Sequence, residues 1–120
     1  MKRVVVLGGS GAVGRGVVRA LVASGAKVAF TFFENEAAAR ELAEATGATG
    51  KRLDLASPDD VPRVVLELAT ELGGVDALVH AAAVGSTLEP QAFEPIDDVL
   101  TAGFDRLMAI NVRSAFFAIK

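Results

Sequence analysis

A glycine-rich turn near the start of the chain is the feature that most limits its possible folds. Residues 8–16 read GGSGAVGRG and follow a β-branched run, Val4 to Leu7. Gly9, Gly11 and Gly14 satisfy the spacing G-x-G-x-x-G, which between a strand and a helix is typical of a phosphate-binding turn. Glycine is needed there because main-chain N–H groups must approach the anion without Cβ atoms intervening. The alternative is a tight strand-to-helix turn that binds nothing.

Strand-like and helix-like segments alternate four times along the chain. The strands are predicted at Val4–Leu7, Val28–Phe32, Lys51–Leu55 and Val75–Val79. The helices are predicted from Val13 to Ser24, from Asn35 to Gly47, from the Ser57-Pro58-Asp59-Asp60 cluster to Gly73, and from about Gly103 to Lys120. Short connections in this order predict an α/β protein with a parallel sheet. The long irregular piece, Gly85 to Ala102, follows the carboxyl end of strand four, where open α/β sheets bind ligands.

Composition excludes several classes of function. The 120 residues are 52% hydrophobic and carry a net charge of −3, which describes one globular domain. There is no Cys and a single His, so no disulfide framework and no metal site is expected. The absence of a basic run argues against nucleic-acid and membrane partners. No apolar run approaches the ~20 residues that span a bilayer, and we expect a cytoplasmic protein.

The turn resembles that of the short-chain dehydrogenase/reductase family. The family pattern T-G-x-x-x-[AG]-x-G lies on Leu7 to Gly14, with Leu7 in place of Thr. The resemblance implies that Gly8, Gly11 and Gly14 lie at the cofactor pyrophosphate and that Ser10, Ala12 and Val13 also bind the cofactor. The pattern G-x-x-G-x-x-G of the extended branch also fits, so the turn alone does not choose between branches.

The end of strand two bears on the choice of nicotinamide cofactor. Phe32 stands where NAD-preferring members of the family carry Asp. Glu34 could still reach the ribose or be a solvated residue at a helix start, and Arg15 is either a partner for a 2′-phosphate or a helix-surface residue. Asn35 followed by Glu resembles NADP-using acyl-carrier-protein reductases of the family. The sequence therefore favours NADP over NAD, with Phe33 and Asn35 beside the cofactor.

Two further segments are assigned by the resemblance. Asp54 and Leu55 match the acidic–aliphatic pair that flanks the adenine ring, although Asp54 also suits a helix cap. His80-Ala81-Ala82-Ala83 stands where most members carry N-N-A-G. Small residues there let the chain pass close to the cofactor ribose. Histidine side chains often act as acids or bases near neutral pH, but His80 replaces a structural Asn, so His80, Ala81 and Ala82 are assigned to cofactor binding.

Helix four carries an asparagine in its interior. Asn111 has poor helix propensity and needs a partner if buried. The motif N-V-x-S from Asn111 to Ser114 resembles that of the main branch of the family. There the Asn distorts the helix and holds a water that reprotonates the catalytic Lys, so Asn111 is the candidate catalytic residue. An Asn that bonds a neighbouring loop is the alternative.

The family's proton donor is missing from this chain. Family members use a Ser and a Tyr-x-x-x-Lys motif, and these 120 residues contain no Tyr. We therefore expect residues 1–120 to be a Rossmann-type dinucleotide-binding portion, strand order 3-2-1-4, truncated within helix four and inactive alone. Apolar residues around helix four predict a homo-oligomer or association with a separate C-terminal half.

The resemblance implies an NAD(P)-dependent oxidoreductase that acts on a ketone or alcohol, most like the 3-oxoacyl-acyl-carrier-protein reductases. Its substrate would be a small or acyl-carrier-linked ketone. Two alternatives stay open. One is a non-catalytic dinucleotide-binding subunit or redox sensor. The other is an extended-branch epimerase or dehydratase, which the wording of helix four disfavours.

Overall fold

Strands and helices alternate along the chain as the sequence predicts. The computed structural model describes residues 1–83 and 101–120, so most of the predicted irregular piece lies outside the described residues. The strands are β1 (Arg3–Leu7), β2 (Lys27–Phe32), β3 (Thr49–Arg52) and β4 (Ala77–His80). The helices are α1 (Ala12–Ala23), α2 (Glu36–Thr46), α3 (Asp60–Leu72), α4 (Thr101–Met108) and α5 (Ser114–Ile119), with a π-helical turn, Ala109–Arg113, between the last two.

The four strands form a parallel sheet in the order β3-β2-β1-β4. This order confirms the predicted Rossmann-type arrangement. The strands end together at one edge, where Leu7 pairs with His80 and Phe32 pairs with Arg52. The connections that leave this edge therefore converge, as they do in other open α/β sheets that bind ligands there.

Both faces of the sheet are buried, which explains the continuous apolar run in β1. Val5 and Leu7 face α3 and the π-helical turn, in a core that includes Leu68 and Ile110. Val4 and Val6 face α1 and α2, in a core with these further buried members: Val18, Val28, Phe30, Ala39, Leu42 and Ala48. Side chains alternate across a strand, so a central strand is predominantly apolar at consecutive positions when helices cover both sides.

β1 and β2 each begin one residue before the predicted start, and the bounds of β3 and β4 differ further from the sequence prediction. β3 runs from Thr49 to Arg52 instead of from Lys51 to Leu55, although the Leu53 N–H still donates to the Phe32 carbonyl over 2.8 Å. The chain then turns because the Asp54 carboxylate accepts from the Ala56 N–H at 2.9 Å, an Asx turn. β4 begins at Ala77 instead of Val75 and extends to His80.

Helix four is not one regular helix. It begins at Thr101, two residues before the predicted start, and widens into the π-helical turn around Asn111. The distortion that the family resemblance implies at Asn111 is therefore present. None of the helices within residues 1–83 and 101–120 is both long and apolar enough to cross a bilayer.

Candidate functional site

The glycine turn is fixed to both neighbouring strands. The buried Thr31 in β2 accepts two hydrogen bonds from it: its Oγ1 from the Gly8 N–H at 3.1 Å and its carbonyl from the Gly9 N–H at 2.9 Å. Gly8 has φ +77°, and a Cβ there would lie 2.5 Å from the Cβ of Ala82. The turn thus needs glycine to pack against the end of β4.

The N-cap of α1, Gly11, and the two glycines within the helix, Gly14 and Gly16, have different surroundings. A Cβ on the buried Gly14 would lie only 1.9 Å from the Gly8 carbonyl oxygen, so Gly14 allows the helix to lie directly under the turn. Gly11 is the N-cap, with φ −70° and ψ 172°, and a Cβ there would meet its nearest atom at an ordinary 3.6 Å. Nothing lies within 4 Å of a Cβ on Gly16. Only Gly11 leaves space that the protein itself does not fill in front of the helix.

The N-terminus of α1 has the properties of an anion site. Among the residues that the structure describes, no side chain caps it, and its first turn contains no acidic residue. The first N–H groups of a helix have no intrahelical acceptor and carry the positive end of the helix dipole. Gly11 leaves the space in front of these N–H groups open, and helix N-termini of this kind bind anions.

A groove of about 500 Å³ lies at the carboxyl ends of the strands, beside this turn. Ten of the predicted cofactor-binding residues line it: Gly8, Ser10, Gly11, Ala12, Val13, Phe33, Asp54, Leu55, Ala81 and Ala82. A volume of this size suits a small-molecule site. The structure thus brings the glycine turn, the Asp54–Leu55 pair and the small residues after β4 to one surface, although they are far apart in sequence.

Three other predicted cofactor-binding residues do not line the groove. Gly14 lies beneath the turn. The side chain of Asn35 caps α2, where its Oδ1 accepts from the Ala38 N–H at 3.1 Å. The Nε2 of His80 lies 2.8 Å from the Oγ of Ser114, the residue that directly follows the π-helical turn.

The π-helical turn is held from two sides. The Ser114 hydroxyl donates to the Ile110 carbonyl at 2.5 Å, a contact to the fourth preceding residue that often bends helices. The Arg113 guanidinium donates to the Ala56 carbonyl at 2.8 Å, which ties the turn to the connection after β3. Asn111 lies within this fixed turn and does not line the groove.

Several groove residues were missed by sequence reasoning. Thr31, Leu53, Ile110 and Arg106 line the groove, as does Glu34, which the sequence left undecided. The helical spacing of Arg106 and Ile110 could have linked them, because residues four apart share a helix face. A second omission is Arg52, whose Cζ lies 5.6 Å from the ring centroid of Phe33. Arg15, the earlier candidate for a phosphate partner, does not line the groove.

The side chains with shifted pKa values in the described part of the chain do not line the groove. Hydrogen bonds from the Arg3 side chain and main chain hold the pKa of the Asp76 carboxyl well below its ordinary value. Lys51 and Arg63 likewise lower the pKa of Glu67, with the Lys51 hydrogen bond as the larger cause. The Arg3–Asp76 pair joins β1 to the residue before β4, and Lys51 joins β3 to α3, so both belong to the scaffold.

Fold and groove together define a Rossmann-type α/β protein with an open groove at the carboxyl ends of the strands. A family profile described as enoyl-(acyl carrier protein) reductase matches residues 9–120. The chain belongs to the short-chain dehydrogenase/reductase family.

Known proteins of the family are similar over nearly the whole chain. The 2,5-dichloro-2,5-cyclohexadiene-1,4-diol dehydrogenase of Sphingobium indicum is 36% identical over 99% of this chain and 46% of its own length. The structure of BdcA in complex with NADPH, a protein of E. coli, matches with TM-score 0.84 and 36% identity, over 98% of this chain and 44% of that one. A blue fluorescent protein from a metagenomic library, also in complex with NADPH, matches with TM-score 0.88 and 35% identity, over 98% and 48%. The chain thus spans less than half the length of these relatives.

Proposed function

We propose that this chain is the cofactor-binding part of an NADP-dependent oxidoreductase that interconverts a ketone and an alcohol. The observation that carries the proposal is the uncapped N-terminus of α1 behind Gly11, which opens on a 500 Å³ groove. Two similar family members have structures with bound NADPH, which supports NADP as the cofactor here.

The residues along the groove suit the parts of a dinucleotide. N–H groups of the turn and the start of α1 would donate hydrogen bonds to the pyrophosphate oxygens. Asp54 uses Oδ1 for the Ala56 N–H, which leaves its second carboxylate oxygen to accept from the exocyclic amine of adenine. The half-buried Ala81 and Ala82 let the cofactor pass close to the end of β4. When bound, the nicotinamide supplies the hydride; these side chains only bind and orient it.

A proton for the carbonyl oxygen is the second requirement of the proposed reaction. The chain has no Tyr, and reduction of a ketone needs a positioned acid beside the oxygen. We propose that a Ser and a Tyr-x-x-x-Lys motif are supplied by a further segment or by another chain. Asn111 would then hold the water of the proton relay, in the π-helical turn that Ser114 and Arg113 fix.

The substrate and the assembly belong to the same proposal. The family profile carries the name of an enoyl-(acyl carrier protein) reductase, which supports an acyl-linked substrate. An enoyl reductase reduces a C=C bond, so the ketone, such as a 3-oxoacyl group, rests on the resemblance of the sequence to the 3-oxoacyl reductases. Phe104, Val112 and Phe116 are more than half exposed, and such an apolar surface supports a homo-oligomer or a docked C-terminal half.

Titration of the chain with NADPH, followed by the fluorescence of the reduced nicotinamide, tests cofactor binding. The matched variants are Gly11→Ala and Gly16→Ala, because neither new Cβ meets a protein atom closer than 3.6 Å. Gly11→Ala should weaken NADPH binding by about tenfold or more, since its methyl group occupies the anion's approach. Gly16→Ala should leave binding unchanged. A wild-type chain that binds neither NADPH nor NADH would show that the proposal is wrong.

A second experiment separates the enzyme from the non-catalytic module. The protein in its native assembly is supplied with NADPH and a 3-oxoacyl thioester, and the decay of NADPH absorbance is followed. Turnover that is lost in Asn111→Ala, with NADPH affinity retained, supports the enzyme. Tight cofactor binding without turnover of any ketone favours a dinucleotide-binding subunit or redox sensor.

A further inference from the structure

The end of β2 is where a Rossmann-type site distinguishes the two nicotinamide cofactors. An acidic residue there accepts from the ribose hydroxyls of NAD, and an arginine nearby accommodates the 2′-phosphate of NADP. Residues 32–35 of this chain contain no Arg or Lys, and Glu34 contributes a negative charge to the groove. A cation that favours NADP must therefore come from another element.

The sheet brings such a cation from β3. Phe32, the last residue of β2, is in register with Arg52, the last residue of β3. The Arg52 guanidinium lies over the ring of Phe33, with 5.6 Å between Cζ and the ring centroid. Phe33 is 38% exposed and lines the groove. The contact is a cation–π interaction, which holds the guanidinium against the rim of the groove.

We propose that Arg52, supported by Phe33, is the residue that selects NADP by pairing with its 2′-phosphate. The inference rests on the proposed binding of a nicotinamide dinucleotide in this groove. A guanidinium suits the task because its planar fork binds phosphate oxygens in pairs and also stacks on an aromatic ring.

Arg52 is also available for a ligand. Four other cations are committed to carboxylates in ion pairs: Arg3 to Asp76, Arg40 to Glu36, Lys51 to Glu67 and Glu71, and Arg63 to Asp60 and Glu67. Within residues 1–83 and 101–120, Arg52 forms no ion pair. The only aromatic or polar contact of the Arg52 side chain there is with Phe33.

Arg106 is the competing candidate, because its side chain lines the groove. It lies on α4, one turn before Ile110, which packs on the face of the sheet that carries Val5 and Leu7. Arg52 is in register with Phe32, the last residue of β2, so Arg52 is favoured over Arg106 as the residue beside the end of β2.

The test compares NADPH and NADH affinity in Arg52→Gln, Arg106→Gln and Arg19→Gln. Arg19 is an exposed arginine on α1 that does not line the groove, so it controls for the loss of one positive charge. Dissociation constants come from nicotinamide fluorescence, and circular dichroism verifies that each variant is folded. Arg52→Gln should weaken NADPH binding by about tenfold or more while NADH binding changes by less than about twofold. Arg106→Gln and Arg19→Gln should keep the wild-type preference.

Two more variants test the arrangement itself. Phe33→Leu removes the ring under the guanidinium and should reduce the NADPH preference by part of the Arg52→Gln effect. Glu34→Gln removes a carboxylate from the groove and should strengthen NADPH binding relative to NADH.

The outcomes separate this inference from the proposed function. Equal weakening of both cofactors by Arg52→Gln, unchanged NADPH binding, or transfer of the effect to Arg106→Gln would each overturn the role of Arg52. In all three cases the groove would still be a dinucleotide site. If the wild-type chain binds neither cofactor, both the inference and the proposed function are wrong.

Discussion

The Nε2 of His80 lies 2.8 Å from the Oγ of Ser114 and joins the end of β4 to the π-helical turn. The single proton of the Ser114 hydroxyl is donated to the Ile110 carbonyl. Its oxygen must therefore accept from the ring, so His80 carries a proton on Nε2. This pairing fixes the segment that contains Asn111 against the sheet.

Ser114→Ala should destabilise the fold by about 1–3 kcal/mol, because the buried Oγ is the partner of the His80 ring. Urea denaturation measures the change. Ser24→Ala is the matched control, since its hydroxyl also donates to a main-chain carbonyl, that of Leu21, but is exposed. Its cost should stay within about 0.5 kcal/mol. Equal costs in the two variants would contradict the structural role of the His80–Ser114 pair.

Gly14→Ala and Gly16→Ala should have opposite effects although both lie in α1. A Cβ on Gly14 would overlap the Gly8 carbonyl oxygen at 1.9 Å, so the turn and the helix must separate. We expect a loss of more than about 1 kcal/mol and loss of NADPH binding. Gly16 has open space, so Ala should stabilise the helix by about 0.5–1 kcal/mol. Thermal unfolding of both variants measures this difference, and the same sign of change in both would refute it.

Thr31 should matter to the cofactor without touching the phosphates. Thr31→Val keeps the shape of the side chain but removes the oxygen that accepts from the Gly8 N–H. We expect a cost of about 1–3 kcal/mol and weaker NADPH binding, because the glycine turn is no longer fixed. Thr31→Ser retains the hydroxyl and should keep the affinity. Calorimetric titration with NADPH compares them, and a Val variant that binds as tightly as the Ser variant would show that the contact is dispensable.

The Arg3–Asp76 pair should make stability depend on acid pH. Hydrogen bonds from Arg3 lower the pKa of Asp76 in the folded state, so folding favours the ionised carboxylate. The stabilisation is complete above the unfolded pKa, near 3.9, and is lost as the pH falls toward the lower folded value. Wild type and Asp76→Asn should therefore differ most in melting temperature near pH 7 and converge below about pH 4.

Glu44→Gln is the control for this pH series. Glu44 is exposed and forms no ion pair within the described part of the chain. It should follow the wild-type profile from pH 7 to pH 2. A difference between wild type and Asp76→Asn that stays constant over this range would exclude the linkage.

Much of the architecture could be predicted because its signals are local. The apolar run of β1 is continuous since both faces are covered, and Gly47 and Gly73 end their helices with positive φ. The groove residues in the glycine turn, at Asp54–Leu55 and at Ala81–Ala82 follow from short motifs. Hydrophobic periodicity does not predict the end of β3 or the start of β4. An Asx turn at Asp54 follows β3, and the Arg3–Asp76 pair lies directly before β4.

The sequence by itself determined the order of strands and helices, the glycine turn and the unusual Asn111, because hydrophobic pattern and backbone conformation are properties of neighbouring residues. Only the tertiary structure decided which distant side chains meet. Strand register placed Arg52 on Phe33, and the packing of helix four on the sheet paired His80 with Ser114. Such contacts join residues 19 to 34 positions apart, and they depend on how whole elements pack.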